Sequence, residues 1–139
     1  KQKTTGEYHL MIIDTTVLID LLRGNQGIVT KLKALQQQNI PLFLTSISVF
    51  ELWQGTSDVR NEKKSQQLHH LLESLGTFTF DIPAAKESGN IHARLKEEGH
   101  MIDSEDSMIA GIAKINHETL LTRNVKHFER IPGLNTETY

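Results

Sequence analysis

Cysteine is absent from this 139-residue chain, and proline occurs only three times. The absence of cysteine excludes a disulfide framework, thiolate zinc sites and a cysteine nucleophile. Few prolines and an ordinary share of hydrophobic residues, 37%, exclude collagen-like and extensively disordered classes. We therefore expect one domain over residues 1–139 with a single core, in which residues 1–8 form a polar tail.

Long hydrophobic runs and a strong net charge are also missing. Runs such as "MII" and "PLFL" are far shorter than the roughly 18 residues that cross a bilayer, and no signal-peptide core is present. We therefore expect a cytoplasmic protein with no membrane partner. The net charge is −2, from 15 Lys and Arg against 17 Asp and Glu. This balance argues against a plain DNA-binding module and remains compatible with an enzyme whose acidic centre binds cations.

Strand-like and helix-like segments alternate along the chain. The strand-like segments are "HLMIID", "IPLFLT", "TFTFDI" and "ETLLT", and helical periodicity follows or separates them, as in "TTVLIDLLRG", "SISVFELWQG", residues 58–75 and "SEDSMIAGIAKINH". Such alternation predicts an α/β fold, a three-layer sandwich with a mostly parallel central sheet flanked by helices. In such sheets the working crevice lies beyond the carboxyl ends of the strands.

Polar residues occur at several of these strand-to-helix junctions. Asp14 directly follows a buried strand, where it either caps the next helix or binds a partner that offsets the cost of burial. Glu51 lies within an otherwise apolar helix, so it either edges a solvated face or is drawn inward by a cation. Thr122 and Asn124 follow the last clear strand.

Three carboxylates crowd into "IDSEDSMIAG" at the start of a helix. We expect Asp103 to be the N-cap, with Glu105 and Asp106 favourable against the positive end of the helix dipole. At 100° per residue Asp106 falls at the border of the buried face, whereas Ser107 is expected to point away from it. Capping and the helix dipole explain why acids occur near the N-terminus of this helix, but they do not explain why Asp106 lies at the edge of its buried face.

The segments "MIIDTTVLID", "TSISVFELWQG", "EDSMIAGIA" and "LLTRNVKHFERIPGL" together resemble the PIN-domain family, specifically the VapC-like ribonuclease toxins. The resemblance spans roughly residues 10–134. It implies a Rossmann-like layered sheet and an endoribonuclease that uses Mg²⁺ or Mn²⁺ to cleave single-stranded RNA. It also implies a homodimer and an antitoxin protein partner.

The resemblance assigns Asp14, Glu51 and Asp106 as metal ligands and catalytic residues, with Asn124 at the fourth catalytic corner. Thr15 and Thr122 would support them. Many relatives have Asp at the position of Asn124, so Glu105 could supply the charge that the amide does not bring. Separately from the resemblance, Arg123, Arg23 and Lys126 are candidate contacts to RNA phosphates, and Arg123 is favoured because it neighbours the fourth corner.

Three acids and an amide suit a hard divalent cation, which can activate water for attack on a phosphodiester. Other functions remain open at this stage. A phosphatase of the haloacid-dehalogenase type would also place an Asp after a strand, but Thr16 stands where that class needs a second Asp. A non-catalytic PIN-like scaffold that binds RNA or protein is another alternative. A third is an RNA-processing PIN nuclease outside any toxin–antitoxin system.

Overall fold

A computed structural model of the protein describes residues 9–56 and 62–139. The start of the predicted helix over residues 58–75 therefore lies outside the described residues. The described chain forms, in order, β1 (Met11–Ile13), α1 (Thr15–Leu22), α2 (Gln26–Gln37), β2 (Leu42–Thr45), α3 (Ser46–Thr56), α4 (Glu62–Ser74), β3 (Gly76–Phe78), α5 (Ile82–Glu97), α6 (Ser104–Ile115), β4 (Thr119–Leu121), α7 (Val125–Phe128) and β5 (Thr136–Glu137). No helix among these residues has the length and hydropathy to cross a membrane.

The five strands form one sheet in the order β3-β2-β1-β4-β5, and every neighbouring pair is parallel. In the centre Ile13 of β1 is in register with Leu121 of β4. The next residues, Asp14 and Thr122, therefore leave the sheet side by side at its carboxyl edge. The expected α/β fold with a parallel central sheet is confirmed, and β5 adds a strand that the sequence left uncertain.

Helices cover both faces of the sheet, because the strand side chains alternate between two apolar clusters. Ile12 packs into one cluster with α5, α6 and Phe128. Met11 and Ile13 pack on the opposite face, against Val17 of α1 and the α2 side chains. The predicted three-layer arrangement is therefore correct. Helix α6, whose first turn contains Glu105 and Asp106, packs directly against the sheet.

Two local expectations need correction. The strand expected across "TFTFDI" is shorter, Gly76–Phe78, because Asp81 accepts a hydrogen bond from the backbone N–H of Ala84 at 3.0 Å and starts α5. Ser107 was expected to point away from the core, yet it is 2% exposed and lies 2.8 Å from the Nδ1 atom of His92. The periodicity argument failed there because α6 is buried against both the sheet and α5.

Candidate active site

Asp14 lies buried at the carboxyl end of the central strand and caps α1. One carboxylate oxygen, Oδ1, accepts from the backbone N–H of Thr15 at 2.7 Å. The other, Oδ2, accepts from the hydroxyls of Thr122 at 2.7 Å and Thr16 at 3.0 Å. The capping interpretation is therefore correct, and the same contacts fix the position of a buried negative charge at the sheet edge.

Glu51 reaches the same edge from α3 and is held there by a chain of hydroxyls. Its Oε1 atom accepts from the Thr15 hydroxyl at 2.7 Å. The Thr15 oxygen lies 2.8 Å from the hydroxyl oxygen of Ser48, and Thr45 donates to Ser48 at 3.5 Å. Because Thr15 gives its proton to Glu51, its oxygen accepts from Ser48, so the three hydroxyls all point their protons toward Glu51. Ser48 and Thr45 are fully buried, so this chain sets where the carboxylate lies.

Asp106 is contributed by the first turn of α6, and its Oδ2 atom lies 3.2 Å from the Nδ1 atom of His127. Burial raises the pKa of Asp106, and the charge of Asp14 raises it further, whereas the hydrogen bond and charge of His127 lower it. The pKa of Glu51 is also raised, first by burial and then by the charges of Asp106, Asp14 and Glu105, against the lowering effect of Thr15. The acids therefore act as one electrostatic unit.

The negative charge of these acids exceeds what the neighbouring side chains of the protein neutralise. Binding of a cation would relieve their mutual repulsion. Among the described residues no three His, Asp or Glu side chains already converge as a metal cage. Mg²⁺ commonly uses only one or two direct carboxylates and keeps several waters, so a closed cage is not required. The all-oxygen donor set of Asp14, Glu51 and Asp106 therefore fits a hard divalent ion.

The remaining predicted site residues fall at different distances from these acids. Asn124 is the N-cap of α7, and its backbone N–H donates at 3.0 Å to the hydroxyl of Thr122, the residue that donates to Asp14. Glu105 is half-buried and close enough to act on the pKa of Glu51. Asp103 occupies the N-cap position of α6, as predicted, although its side chain accepts no capping hydrogen bond within the described helix.

The three basic candidates do not lie together. The Nη1 atom of Arg123 lies 2.6 Å from the Oδ1 atom of Asp20 on α1. Lys126 is exposed on α7, near the fourth corner. Arg23 ends α1, about 13 Å along the helix axis from Asp14 at the usual helical rise. The structure thus places Arg123 in the loop that contacts the acidic centre, where its backbone N–H donates to Thr16, and leaves Arg23 at the far end of α1.

Sequence reasoning missed Thr16 and His127, which contact the acids directly, and Ser48, which contacts Glu51 only through the Thr15 hydroxyl. Ser48 could have been found from its spacing, since it precedes Glu51 by three residues on the same helical face. His127 follows Asn124 by three residues, but only the packing of α7 against α6 reveals that it reaches Asp106.

The sequence of the chain is similar to those of known proteins over most of its length. Residues 11–134 match the family described as PIN domain. Ribonuclease VapC3 of Methanocaldococcus jannaschii is 36% identical over 101 residues, which cover 73% of this chain and 95% of that protein. The tRNA(fMet)-specific endonuclease VapC of Shigella flexneri is 26% identical over 129 residues, covering 92% of this chain and 96% of the relative.

Solved structures of similar proteins share the fold. The chain superimposes with a TM-score of 0.84 on a chain of VapBC2 from Rickettsia felis bound to a promoter DNA fragment, at 26% identity, covering 94% of this chain and 98% of that one. FitAcB from Neisseria gonorrhoeae matches with a TM-score of 0.75 at 28% identity, covering 91% and 96%. The similarity therefore extends over nearly the full length of each partner.

Proposed function

Because the chain belongs to the PIN-domain family, we propose that it is a Mg²⁺- or Mn²⁺-dependent endoribonuclease that cleaves single-stranded RNA. The observation that carries the proposal is the meeting of Asp14, Glu51 and Asp106, from three separate elements, at the carboxyl edge of the sheet. Ribonuclease relatives that match over most of the chain support it. The family assignment also leaves no support for the phosphatase alternative.

In this proposal Asp14, Glu51 and Asp106 hold the metal. A bound divalent ion makes water a nucleophile near neutral pH and neutralises charge that develops on the phosphate. The rest of the chain pre-positions these ligands: Thr122 and Thr16 fix Asp14, the hydroxyl chain fixes Glu51, and His127 fixes Asp106. No nucleophilic side chain is needed, which agrees with a sequence that lacks cysteine.

Asn124 and Glu105 complete the proposed site at its rim. An amide at the fourth corner contributes an oxygen without a charge. Glu105 lies close enough to Glu51 to raise its pKa, so it adds negative charge to the site. We therefore assign Glu105 a supporting role in attracting the cation.

We also propose that the protein is the toxin of a toxin–antitoxin pair, that it forms a homodimer, and that tRNA is the first substrate to test. VapBC and FitAB assemblies among the structural neighbours support an antitoxin partner. The Shigella relative, a tRNA(fMet)-specific endonuclease, supports tRNA as the substrate. Growth arrest on expression, relieved by the product of an adjacent gene, distinguishes a toxin from an RNA-processing nuclease of the same family.

Metal dependence has a direct test. The purified protein is incubated with a labelled single-stranded RNA, or with tRNA, in EDTA and after Mn²⁺ or Mg²⁺ is added back. We expect no cleavage in EDTA and restored cleavage with either metal, because the acids cannot activate water alone. Products should appear at internal positions. Cleavage that persists in EDTA contradicts the proposal, and binding without cleavage under all metal conditions favours the non-catalytic scaffold.

The pKa shifts predict how pH affects the metal. Folding raises the pKa of Glu51 above its ordinary 4.5 and that of Asp106 above its ordinary 3.8. Without metal, these two carboxyl groups favour the folded state while they are protonated. Their contribution to the free energy of unfolding is therefore fully present below the ordinary pKa values and is lost as pH rises through the raised pKa values. A metal ion binds the ionised forms, so the protons compete with it. Mn²⁺ should stabilise the protein more as pH rises.

Thermal unfolding measures this effect at about pH 5 and about pH 8, in EDTA and in excess Mn²⁺. We expect the increase in melting temperature caused by Mn²⁺ to be larger at the higher pH. The variant Asp103→Asn removes a nearby charge outside the proposed ligand set and should retain the difference. If Mn²⁺ increases the melting temperature more at the lower pH, protons do not compete with the metal for these carboxylates and the prediction is wrong.

A further inference from the structure

A second buried carboxylate lies on α1, apart from the acidic centre. Asp20 is 4% exposed and accepts from two donors that come from distant parts of the sequence. The Nη1 atom of Arg123 donates to its Oδ1 at 2.6 Å, and the Tyr139 hydroxyl donates to its Oδ2. We refer to Asp20, Arg123 and Tyr139 as the Asp20 clamp.

The proton in this clamp stays on the tyrosine. Burial and the hydrogen bond to Asp20 raise the pKa of Tyr139 above its ordinary value of 10.0. Tyr139 therefore remains a neutral donor at physiological pH, and Asp20 remains free to pair with the guanidinium. Tyr139 also packs into the apolar cluster on the α1 and α2 side of the sheet, so its hydroxyl is held in place by the body of the protein.

The arginine in the clamp belongs to the loop that touches the acidic centre. The backbone N–H of Arg123 donates to the Thr16 hydroxyl at 3.3 Å, and Thr16 in turn donates to Asp14. Its neighbours in the chain are Thr122, which donates to Asp14, and Asn124. Asp20 follows Asp14 by six residues, so its backbone lies about 9 Å along α1 from that of Asp14, and the guanidinium is held at the Asp20 carboxylate.

The arginine is held on one side and open on the other. Its side chain is 46% exposed, whereas that of Asp20 is 6% exposed. A guanidinium carries five N–H donors in a rigid fork that matches phosphate, and the pairing with Asp20 uses the Nη1 end of it. An acidic centre repels an RNA backbone, so a fixed cation beside it is what brings the phosphates close.

We propose that Asp20 and Tyr139 are positioning residues that hold Arg123 to bind an RNA phosphate flanking the cleaved bond. This inference rests on the proposed ribonuclease function and names the residues that align its substrate. Arg123 touches the RNA, whereas Asp20 and Tyr139 act through Arg123. Since Asp20→Ala would leave a cavity and an unpaired guanidinium, the milder Tyr139→Phe is the informative variant.

The test is a double-mutant cycle of Arg123→Ala and Tyr139→Phe. Binding of a fluorescein-labelled single-stranded oligoribonucleotide is followed by anisotropy in EDTA, where no cleavage occurs, over a range of salt concentrations. Arg123→Ala should raise the Kd about tenfold and reduce the slope of log Kd against log salt by about 0.7, the value for one phosphate contact on a single strand. Tyr139→Phe should raise the Kd about threefold, because Asp20 loses one of its two partners and holds Arg123 less firmly, and it should have no further effect when Arg123 is already Ala.

Mn²⁺-dependent cleavage gives a second readout. Both variants should raise KM and leave kcat within about twofold, since neither residue is a metal ligand. Glu137→Gln is the control, because it breaks the 3.1 Å ion pair with Lys31 in the same segment as Tyr139 without touching the clamp. It should leave the Kd unchanged.

The inference is overturned if Tyr139→Phe weakens RNA binding by the same factor in the Arg123→Ala variant as in the wild type, since Tyr139 would then not act through Arg123. It is also overturned if Arg123→Ala leaves the Kd and its salt slope unchanged, or if the wild type shows no binding in EDTA. Because the binding cycle needs no catalysis, a wild type that binds but fails to cleave with metal refutes the proposed function separately.

Discussion

Asp106→Asn is expected to reduce RNA cleavage by on the order of 10³-fold, the equivalent of several kcal/mol of metal-supplied stabilisation of the transition state. The same substitution should raise the melting temperature of the protein in EDTA. Asp106 is half-buried with a raised pKa, so its charge is unfavourable in the metal-free fold. An amide of nearly equal size removes that charge and can still contact His127. Activity and stability should therefore change in opposite directions.

Asp103→Asn is the matched control for this prediction. It makes the same chemical change three residues earlier, at the N-cap position of α6, where the side chain makes no capping hydrogen bond within the described helix. We expect cleavage within about twofold of wild type, since no transition-state contact is lost. Cleavage assays and thermal unfolding in EDTA are run on both variants. Retention of full activity by Asp106→Asn would remove it from the site, and a lower melting temperature would show that its charge is already compensated.

The acids of the site could be predicted from sequence because the fold fixes where strands end. Asp14 follows the central strand, and the parallel register of Ile13 with Leu121 then places Thr122 beside it. Glu51 and Asp106 drew attention because each sits in or beside an apolar helical face, but only the resemblance to the PIN-domain family assigned them to the site. Both are half-buried in the structure. Their roles as metal ligands remain a proposal, which the cleavage assays test.

The supporting contacts could not be predicted in the same way, since they depend on packing between distant segments. Thr122 and Asp14 are 108 residues apart, and Tyr139 and Asp20 are 119 apart. No local pattern encodes such pairs. The predicted exposure of Ser107 was wrong for a different reason. An amphipathic pattern assumes one buried helix face, whereas α6 is covered by the sheet on one side and by α5 on another. Asp103 is the N-cap of α6, as predicted, but it makes no capping hydrogen bond within the described helix, because the position at a helix start fixes the backbone and leaves the side chain free to rotate.

Gly111 is the position where a small substitution should cost the most stability. It lies in α6 where this helix packs closest to α5. A Cβ atom added there would lie 1.9 Å from the Ser88 hydroxyl oxygen and 2.9 Å from the Ala84 carbonyl oxygen. The serine hydroxyl can rotate, but the Ser88 Cβ atom, also at 2.9 Å, and the Ala84 carbonyl cannot move without the α5 backbone. We expect Gly111→Ala to lower the free energy of unfolding by about 1–3 kcal/mol, as overpacking does, with a clear fall in melting temperature.

Gly89→Ala supplies a control of opposite sign in the partner helix. Gly89 is exposed within α5, and a Cβ atom added there meets nothing within 4 Å. Alanine should therefore stabilise the protein there by roughly 0.5–1 kcal/mol through helix propensity. The double variant Gly111→Ala with Ser88→Ala should recover part of the loss, because it removes the contact at 1.9 Å and keeps the two at 2.9 Å, with the Ala84 carbonyl and with the Cβ atom of residue 88.

The effect of Gly111→Ala on activity links this packing to the chemistry. Asp106 lies five residues before Gly111 on α6, so separation of α6 from α5 moves the carboxylate relative to Asp14 and Glu51. A displacement of this kind should lower kcat even at temperatures where the protein remains folded, whereas Gly89→Ala should leave kcat unchanged. If Gly111→Ala and Gly89→Ala both raise the melting temperature, the two helices are not in the close contact that seats Asp106.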